Sequence, residues 1–267
     1  MTGAGLARVL VPVFVIVLML VFIYLPVATL ILFSLHDGRV PVPPFEGPTL
    51  EWYRRILDNP RITEGTISSV LVGIGSSAIA VGLATLAGWG LARHRLPGGR
   101  LLEAMILAPL AVSYLVVGVG LMVTYAGAVI SKSLILVAIG HVVLNLPLAF
   151  AIIYSQFGRE QAVLETAARD LGASEPQVFF MITLPSLRVA MVAAFVLCFT
   201  FSWDEFIVAF LLAGFDPTLP IVIWSLLRTG LDPQTNAAGS LVFLVSILAA
   251  LVVELILLGR RSRVRGL

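Results

Sequence analysis

Leu164–Pro185, LETAARDLGASEPQVFFMITLP, is polar where the rest of the chain is oily, and it lies between two long hydrophobic runs. Glu160 to Leu171 has helical spacing, with Ala and Leu interleaved by charges. Gly172 can take the left-handed conformation that ends a helix and turns the chain. Ser174 then begins a second helix, with Gln177 three residues on as its capping-box partner and Pro176 tolerated in the first turn. The spacing predicts two short helices broken at Gly172. A polar helix–turn–helix of this kind is suited to docking into a groove on a soluble partner.

Working outward, the 267 residues are 59% hydrophobic and only 12% charged, with mean hydropathy +1.05. Soluble domains carry about 25% charged residues, so the chain reads as an all-α, polytopic membrane protein, with one domain over 1–267. A single cysteine, Cys198, excludes a disulfide framework and a thiolate metal site. His36, His94 and His141 are far apart and have no ligand spacing, so no metal site is expected. The pI near 9 does not signal nucleic acid, because the basic residues are distributed by topology.

Spanning the hydrocarbon takes about 20 apolar residues. Six such spans are expected, near 9–35, 67–92, 101–125, 134–157, 187–215 and 238–258, with the polar loop at 159–186. The first is too long for a signal-peptide core of roughly 7–15 residues and reads as an uncleaved span. With both termini inside, the inner segments hold Arg8, Arg93, Arg95, Arg100, Arg159, Arg169, Arg188, Arg260, Arg261, Arg263 and Arg265. The outer segments hold Arg39, Arg54, Arg55, Arg61, Lys132 and Arg228. The excess inside obeys the positive-inside rule and puts the polar loop in the cytoplasm. The second span repeats small residues at Ser76, Ala80, Ala84, Gly88 and Ala92, a ladder that lets helices approach closely within a bundle. Between the first two spans, Leu50–Leu57 reads as a short amphipathic helix whose Trp52 and Tyr53 anchor at the outer interface, with docking of an external binding protein as the alternative.

The chain has no energy source of its own. A P-loop needs Gly-Lys-Ser/Thr, and the only lysine, Lys132, follows Ser131 and leads into a hydrophobic run. An ATPase would therefore be a separate subunit. No His-Glu-x-x-His or Gly-x-Ser-x-Gly appears, so an intramembrane enzyme has no visible nucleophile–base pattern.

Asp204 and Glu205 interrupt the fifth span. A carboxylate at mid-bilayer costs at least about 2.5–3.5 kcal/mol on insertion scales, so two need a reason. Asp204 lies 17 residues beyond Leu187, roughly 25 Å at 1.5 Å per residue. Adjacent helical residues point about 100° apart, so one acid is expected to line a path and the other to hold a helix contact. Thr200 shares a face with Asp204 and favours it for the path; the alternative is that both acids tie helices together. His141 and Asn145 form a polar stripe ahead of Pro147, read first as interhelical bonding, with path lining as the alternative. Tyr114 faces either the cavity or the core.

The polar loop resembles the EAA loop of binding-protein-dependent ABC importer permeases: Ala167, Ala168, Gly172, Ile182, Leu184 and Pro185 stand in the motif's register. Thr166 stands where the motif has Glu, and the acid is one residue earlier, at Glu165. Gly47–Tyr53, Gly90–Arg93, Phe201–Phe206 and Thr218–Ile221 are similar to the second permease subunit of spermidine/putrescine importers. The resemblance implies a MetI-like permease fold in a bacterial inner membrane, multi-pass, with an ATPase-coupling loop and no catalytic residues. It also implies a homologous second permease, two copies of an ATPase holding ATP and Mg, and a periplasmic or extracellular solute-binding protein. Transport would run by alternating access. The path would involve Asp204 and Glu205 with Trp203, and the acids suit a cationic amine such as a polyamine. Ser113-Tyr114 replaces the family's frequent Pro-Glu, which keeps open a quaternary ammonium held by cation–π attraction, an opine or an aminophosphonate. An ion-coupled secondary transporter is the rival of another class; it predicts internal inverted repeats, and no convincing repeat is visible.

Overall fold

Lipid offers the backbone no hydrogen-bond partners, so a spanning chain of this composition must form helices. The computed structural model describes residues 3–94, 96–230 and 232–265, with side chains over 10–94, 96–230 and 232–255. Twelve α-helices follow in order among the described residues. They are α1 (Gly3–Ser34), α2 (Glu51–Asp58), α3 (Pro60–Arg93), α4 (Gly99–Leu107), α5 (Tyr114–Gly127), α6 (Leu134–Tyr154), α7 (Arg159–Asp170), α8 (Glu175–Val178), α9 (Leu184–Trp203), α10 (Ile207–Leu212), α11 (Leu219–Thr229) and α12 (Pro233–Arg265). Five described helices are long and apolar enough to cross a membrane, or six when a bent pair counts as one span.

That bent pair is the expected third span. Gly99–Ala111 and Tyr114–Gly127 meet at 107° instead of running straight through 101–125. Pro109 tightens Ala108–Ala111 into a 3-10 turn, and Val112 and Ser113 are both extended, which ends the helical register. The expected fifth span is also divided. Helix α9 stops at Trp203, and α10 restarts at Ile207.

One compact unit comprises the chain up to Thr63 together with Ile223–Leu244. Here the segment after α1 folds back on itself, with Asp37 N–H donating to Glu46 C=O at 2.9 Å and Thr49 N–H to Leu35 C=O at 2.8 Å. Trp52 is buried, and its indole N–H donates to His36 C=O at 2.6 Å. Tyr53 OH pairs with Ser34 Oγ at 2.8 Å. Both aromatic residues are thus engaged inside the unit and do not form the outward interface anchor their composition suggested. The apolar residues that α2 does expose are Leu57 and, just before it, Leu50.

The second unit comprises Glu64–Val222 with the chain from Val245 onward. Its core joins Val81 and Ala84 of α3, Phe150 and Ile153 of α6, and Leu187, Ala194 and Cys198 near and along α9. Ser76, Ala80 and Ala84 of the small-residue ladder are fully buried within the bundle. A second cluster seats α10, through Val208, Ala209 and Leu212, against Val72, Leu136 and Val137. Close approach there depends on Gly140, where a Cβ would lie 2.6 Å from Val208 Cγ1. The side chains of Arg8, Arg95, Arg260, Arg261, Arg263 and Arg265, counted on the inner side, lie outside the described residues.

Candidate functional site

Two regions of the second unit carry polar chemistry. The first is the turn between α7 and α8. Gly172 has φ +90°, its N–H donates to Arg169 C=O at 2.9 Å, and Ala173 N–H donates to Ala168 C=O at 3.0 Å. These are the paired bonds of a Schellman C-cap, and the left-handed residue they require carries almost no strain only as glycine. Ser174 and Gln177 form the capping box at the start of α8, with Pro176 in its first turn. The second helix of the loop is not a separate piece. It passes through a π-helical turn at Phe179–Thr183 straight into α9. Leu184 N–H reaches back five residues to Phe179 C=O. Pro185 lacks an N–H and would crowd the carbonyl four residues back in a regular helix, so the wider turn directly before it relieves that conflict.

Glu165 turns inward. It is fully buried, with Arg93 Nε donating to its Oε2 at 2.5 Å and Arg93 Nη2 to its Oε1 at 3.4 Å. Thr183 Oγ1 donates to Oε1 at 2.8 Å, and the Arg93 guanidinium lies 5.3 Å from the Phe157 ring centroid. Thr166, at the motif's Glu position, is exposed and bonds back to Ala162 C=O at 2.8 Å. Ala167, Gly172 and Pro185 are exposed, whereas Ala168, Ile182 and Leu184 are half-buried. The outer face of the segment shows Val163, Leu164, Phe180 and Met181 to solvent, and Leu171 at the tip is 90% exposed. A shallow groove of about 330 Å³ on α7 is lined by Arg159, Val163, Thr166 and Asp170 among others. Arg169 bridges α7 to α8 through Glu175, at 2.6 and 3.1 Å. That hydrogen bond holds the Glu175 carboxyl below the usual carboxylate range.

The second region is the break in the fifth span. Asp204 is exposed, whereas Glu205 is buried. Glu205 accepts from Val208 N–H and Ala209 N–H at 3.0 Å, satisfying donors that the first turn of α10 leaves unpaired. His141 Nε2 lies 3.3 Å from Glu205 Oε2, and its Nδ1 lies 2.6 Å from Ser202 Oγ. Ser202 Oγ is in turn 3.3 Å from Ser76 Oγ. A buried polar chain therefore joins α3, α6, α9 and the start of α10. Asn145 Nδ2 donates to Cys198 C=O at 3.2 Å, a second tie between α6 and α9. Thr200 is half-buried, with its hydroxyl bonded to Val196 C=O at 2.8 Å. Trp203 is buried and stacks against Phe199 at 6.1 Å. Tyr114 is 39% exposed and within electrostatic reach of both acids.

Ser202, His141 and Glu205 stand in the order of a hydrolase relay, but all three are buried and the carboxylate is occupied by backbone donors. The arrangement ties helices together. Ser202, Ser76, Arg93 and Thr183 were not candidates from sequence. In the sequence Arg93 counts toward topology and closes the Gly90–Arg93 stretch of the resemblance, with no sign of a carboxylate partner, and the position of Thr183 between two motif residues is the one local hint.

The model of the family described as binding-protein-dependent transport system inner membrane component matches residues 80–263. The chain belongs to that family. The permease is 27% identical over 236 residues to the spermidine/putrescine transport system permease protein PotC of Haemophilus influenzae, covering 88% of this chain and 91% of the relative. It is 27% identical over 247 residues to PotC of Escherichia coli K12, covering 92% of each. It is also 27% identical to the putrescine transport system permease protein PotI of Escherichia coli K12, covering 92% and 90%. Among solved structures, a bacterial ABC transporter involved in import of the acidic polysaccharide alginate matches with TM-score 0.71. That match has 15% identity over 97% of this chain and 98% of the other, and it shows the fold alone. The permease is thus a multi-pass inner-membrane subunit of an ABC importer with the MetI-like fold. Its matched stretch contains Arg93, the α7–α8 turn and the break at Asp204.

Proposed function

We propose that the permease supplies half of an alternating-access pathway for a small cationic amine of the polyamine class. Its partners in this reading are a homologous second permease, two copies of an ATPase that binds ATP and Mg, and a periplasmic or extracellular solute-binding protein. Both termini are cytoplasmic. The α7–α8 turn docks on the ATPase, a reading supported by Leu171, exposed at its tip, and by Met181, exposed in the π turn that follows α8. The observation that carries the solute class is Asp204, an exposed carboxylate at a helix break in a chain whose relatives are named for spermidine and putrescine. Glu205 contributes by capping α10 and holding that break open.

A second reading, a monovalent or quaternary ammonium solute, is favoured by Tyr114, an exposed aromatic ring at the start of α5. The test is uptake by the assembled importer in proteoliposomes, with labelled spermidine, putrescine and choline. Asp204→Asn should lower uptake of the preferred amine about 10- to 100-fold, the worth of one hydrogen bond to a charged group. The ATPase should still co-purify with the variant. Unchanged uptake would relegate Asp204 to packing. Uptake by the permease alone under an ion gradient would favour a secondary transporter.

A further inference from the structure

We propose that Arg93, Glu165 and Thr183 form a strut that makes the docking helix α7, the C-terminal end of the second span and the base of the fifth span move as one body. The inference rests on the reading above that the α7–α8 segment is the part the ATPase displaces, and it goes further by naming how displacement reaches the bundle. Three segments distant in sequence converge on one carboxylate. Arg93 is the last residue of α3, Glu165 lies in the middle of α7, and Thr183 closes the π turn that leads into α9.

The geometry suits transmission better than docking. Glu165 is fully buried, so its charge faces the bundle and is hidden from any cytosolic partner. One oxygen accepts from Arg93 Nε at 2.5 Å. The other accepts from Thr183 Oγ1 at 2.8 Å and, more weakly, from Arg93 Nη2 at 3.4 Å. Arg169 comes only to 4.0 Å of Glu165, because its guanidinium is held by Glu175. Sliding α7 past α3 would strand a carboxylate in an apolar site, which is far costlier than moving both helices together. Phe157, at the α6 end, packs under the guanidinium and closes the other side.

The π turn adds a second element. Thr183 is its final residue, so Glu165 grips the one irregular point in the helix that joins α8 to α9. Motion of α7 is thereby delivered to α3 by charge and to α9 through a hydroxyl. The opposite surface of α7 stays available to a partner, with Thr166 at the exposed motif position.

The test uses the complete importer in nanodiscs, with spin labels at Glu160 on α7, outside the groove, and Leu86 on α3, both of which are exposed. In the parent protein the label separation should hold constant between the nucleotide-free and ATP-trapped states while both labels move relative to the second permease. Glu165→Gln, which keeps shape and removes charge, should let the separation change with nucleotide. It should lower uptake per ATP hydrolysed about 2- to 30-fold, the range for mutations along a coupling path. ATPase co-purification and basal hydrolysis should persist in this variant. The swap Arg93→Glu with Glu165→Arg should recover part of the coupling. Thr183→Val is the isosteric second variant should Glu165→Gln fail to assemble, and it should loosen α9 while leaving the α3–α7 separation constant. Constant label separation in Glu165→Gln, or unchanged uptake per ATP in both Glu165→Gln and Thr183→Val, overturns the strut and leaves docking intact. An α7 label that does not respond to ATP in the parent importer overturns the docking reading and the strut with it.

Discussion

Asp204 and Glu205 are neighbours in the chain with opposite environments: the first is exposed where α9 ends, and the second is 7% exposed and bonded to the backbone N–H groups of Val208 and Ala209 at 3.0 Å. The helix break between them and α10 makes this possible. In an unbroken helix each acid would have to find its own partner in the bilayer, whereas here the backbone of the next helix serves one of them.

Glu205→Ala should therefore damage folding, and Asp204→Ala should not. Removing the Glu205 carboxylate leaves two buried backbone donors without acceptors, at about 1–3 kcal/mol for each unsatisfied group. His141 also loses its neighbour at 3.3 Å. Unfolding titrations of purified permease in mixed micelles should show Glu205→Ala destabilised by several kcal/mol and Asp204→Ala within experimental error of the parent. Equal losses would contradict the division of roles.

Gly172→Val places a β-branched residue at φ +90°. Such a conformation costs of order 1–3 kcal/mol for a non-glycine residue. No heavy atom lies within 4 Å of a Cβ built there, so the penalty is confined to the backbone. The variant should insert and retain its spans, yet ATP hydrolysis should no longer be matched by solute uptake. Fully coupled uptake would count against the assignment of this turn to motor docking.

Asn145→Leu removes the bond to Cys198 C=O, and its cost should be small. Side-chain hydrogen bonds between membrane helices average about 0.6 kcal/mol and reach about 1.7. A loss below about 2 kcal/mol in the same micelle titration is expected, with uptake retained. A large fall in uptake with stability preserved would instead assign Asn145 to the path.

The Arg169–Glu175 pair lies outside the spans and gives a pH signature. Its hydrogen bond lowers the folded-state pKa of Glu175. A lowered carboxylate contributes stability above its unfolded pKa, and that contribution disappears as pH falls through the folded value. Amide hydrogen exchange at 172–177 should accelerate on acidification below the ordinary carboxylate range, after correction for intrinsic rates. Glu175→Gln should abolish the added acceleration, and high salt should reduce the effect of this exposed pair. An identical pH profile in Glu175→Gln would show that the pair does not hold the turn.

The residues that could be understood one at a time were those whose chemistry is local. Gly172, Ser174, Gln177 and Pro176 act on backbone groups within a few positions, so their cap and turn were legible without any neighbour. Long apolar runs announced helices for the same reason. The break in the third span was harder, since Pro109 marked only a tightening and nothing nearby predicted a bend of 107°. Trp52 and Tyr53 had the composition of interface anchors, but His36 and Ser34 claimed their polar atoms.

Hydropathy and capping depend on short stretches of chain, so they were enough to establish a helical membrane protein with a polar turn between its fourth and fifth spans. Which carboxylate faces outward and which is enclosed depends on partners far along the chain. Glu165 meets an arginine 72 positions away, and Glu205 meets His141 across a packed helix pair. Burial is a property of the assembled bundle, and until α3, α6 and α9 close on one another these acids have no distinguishing environment.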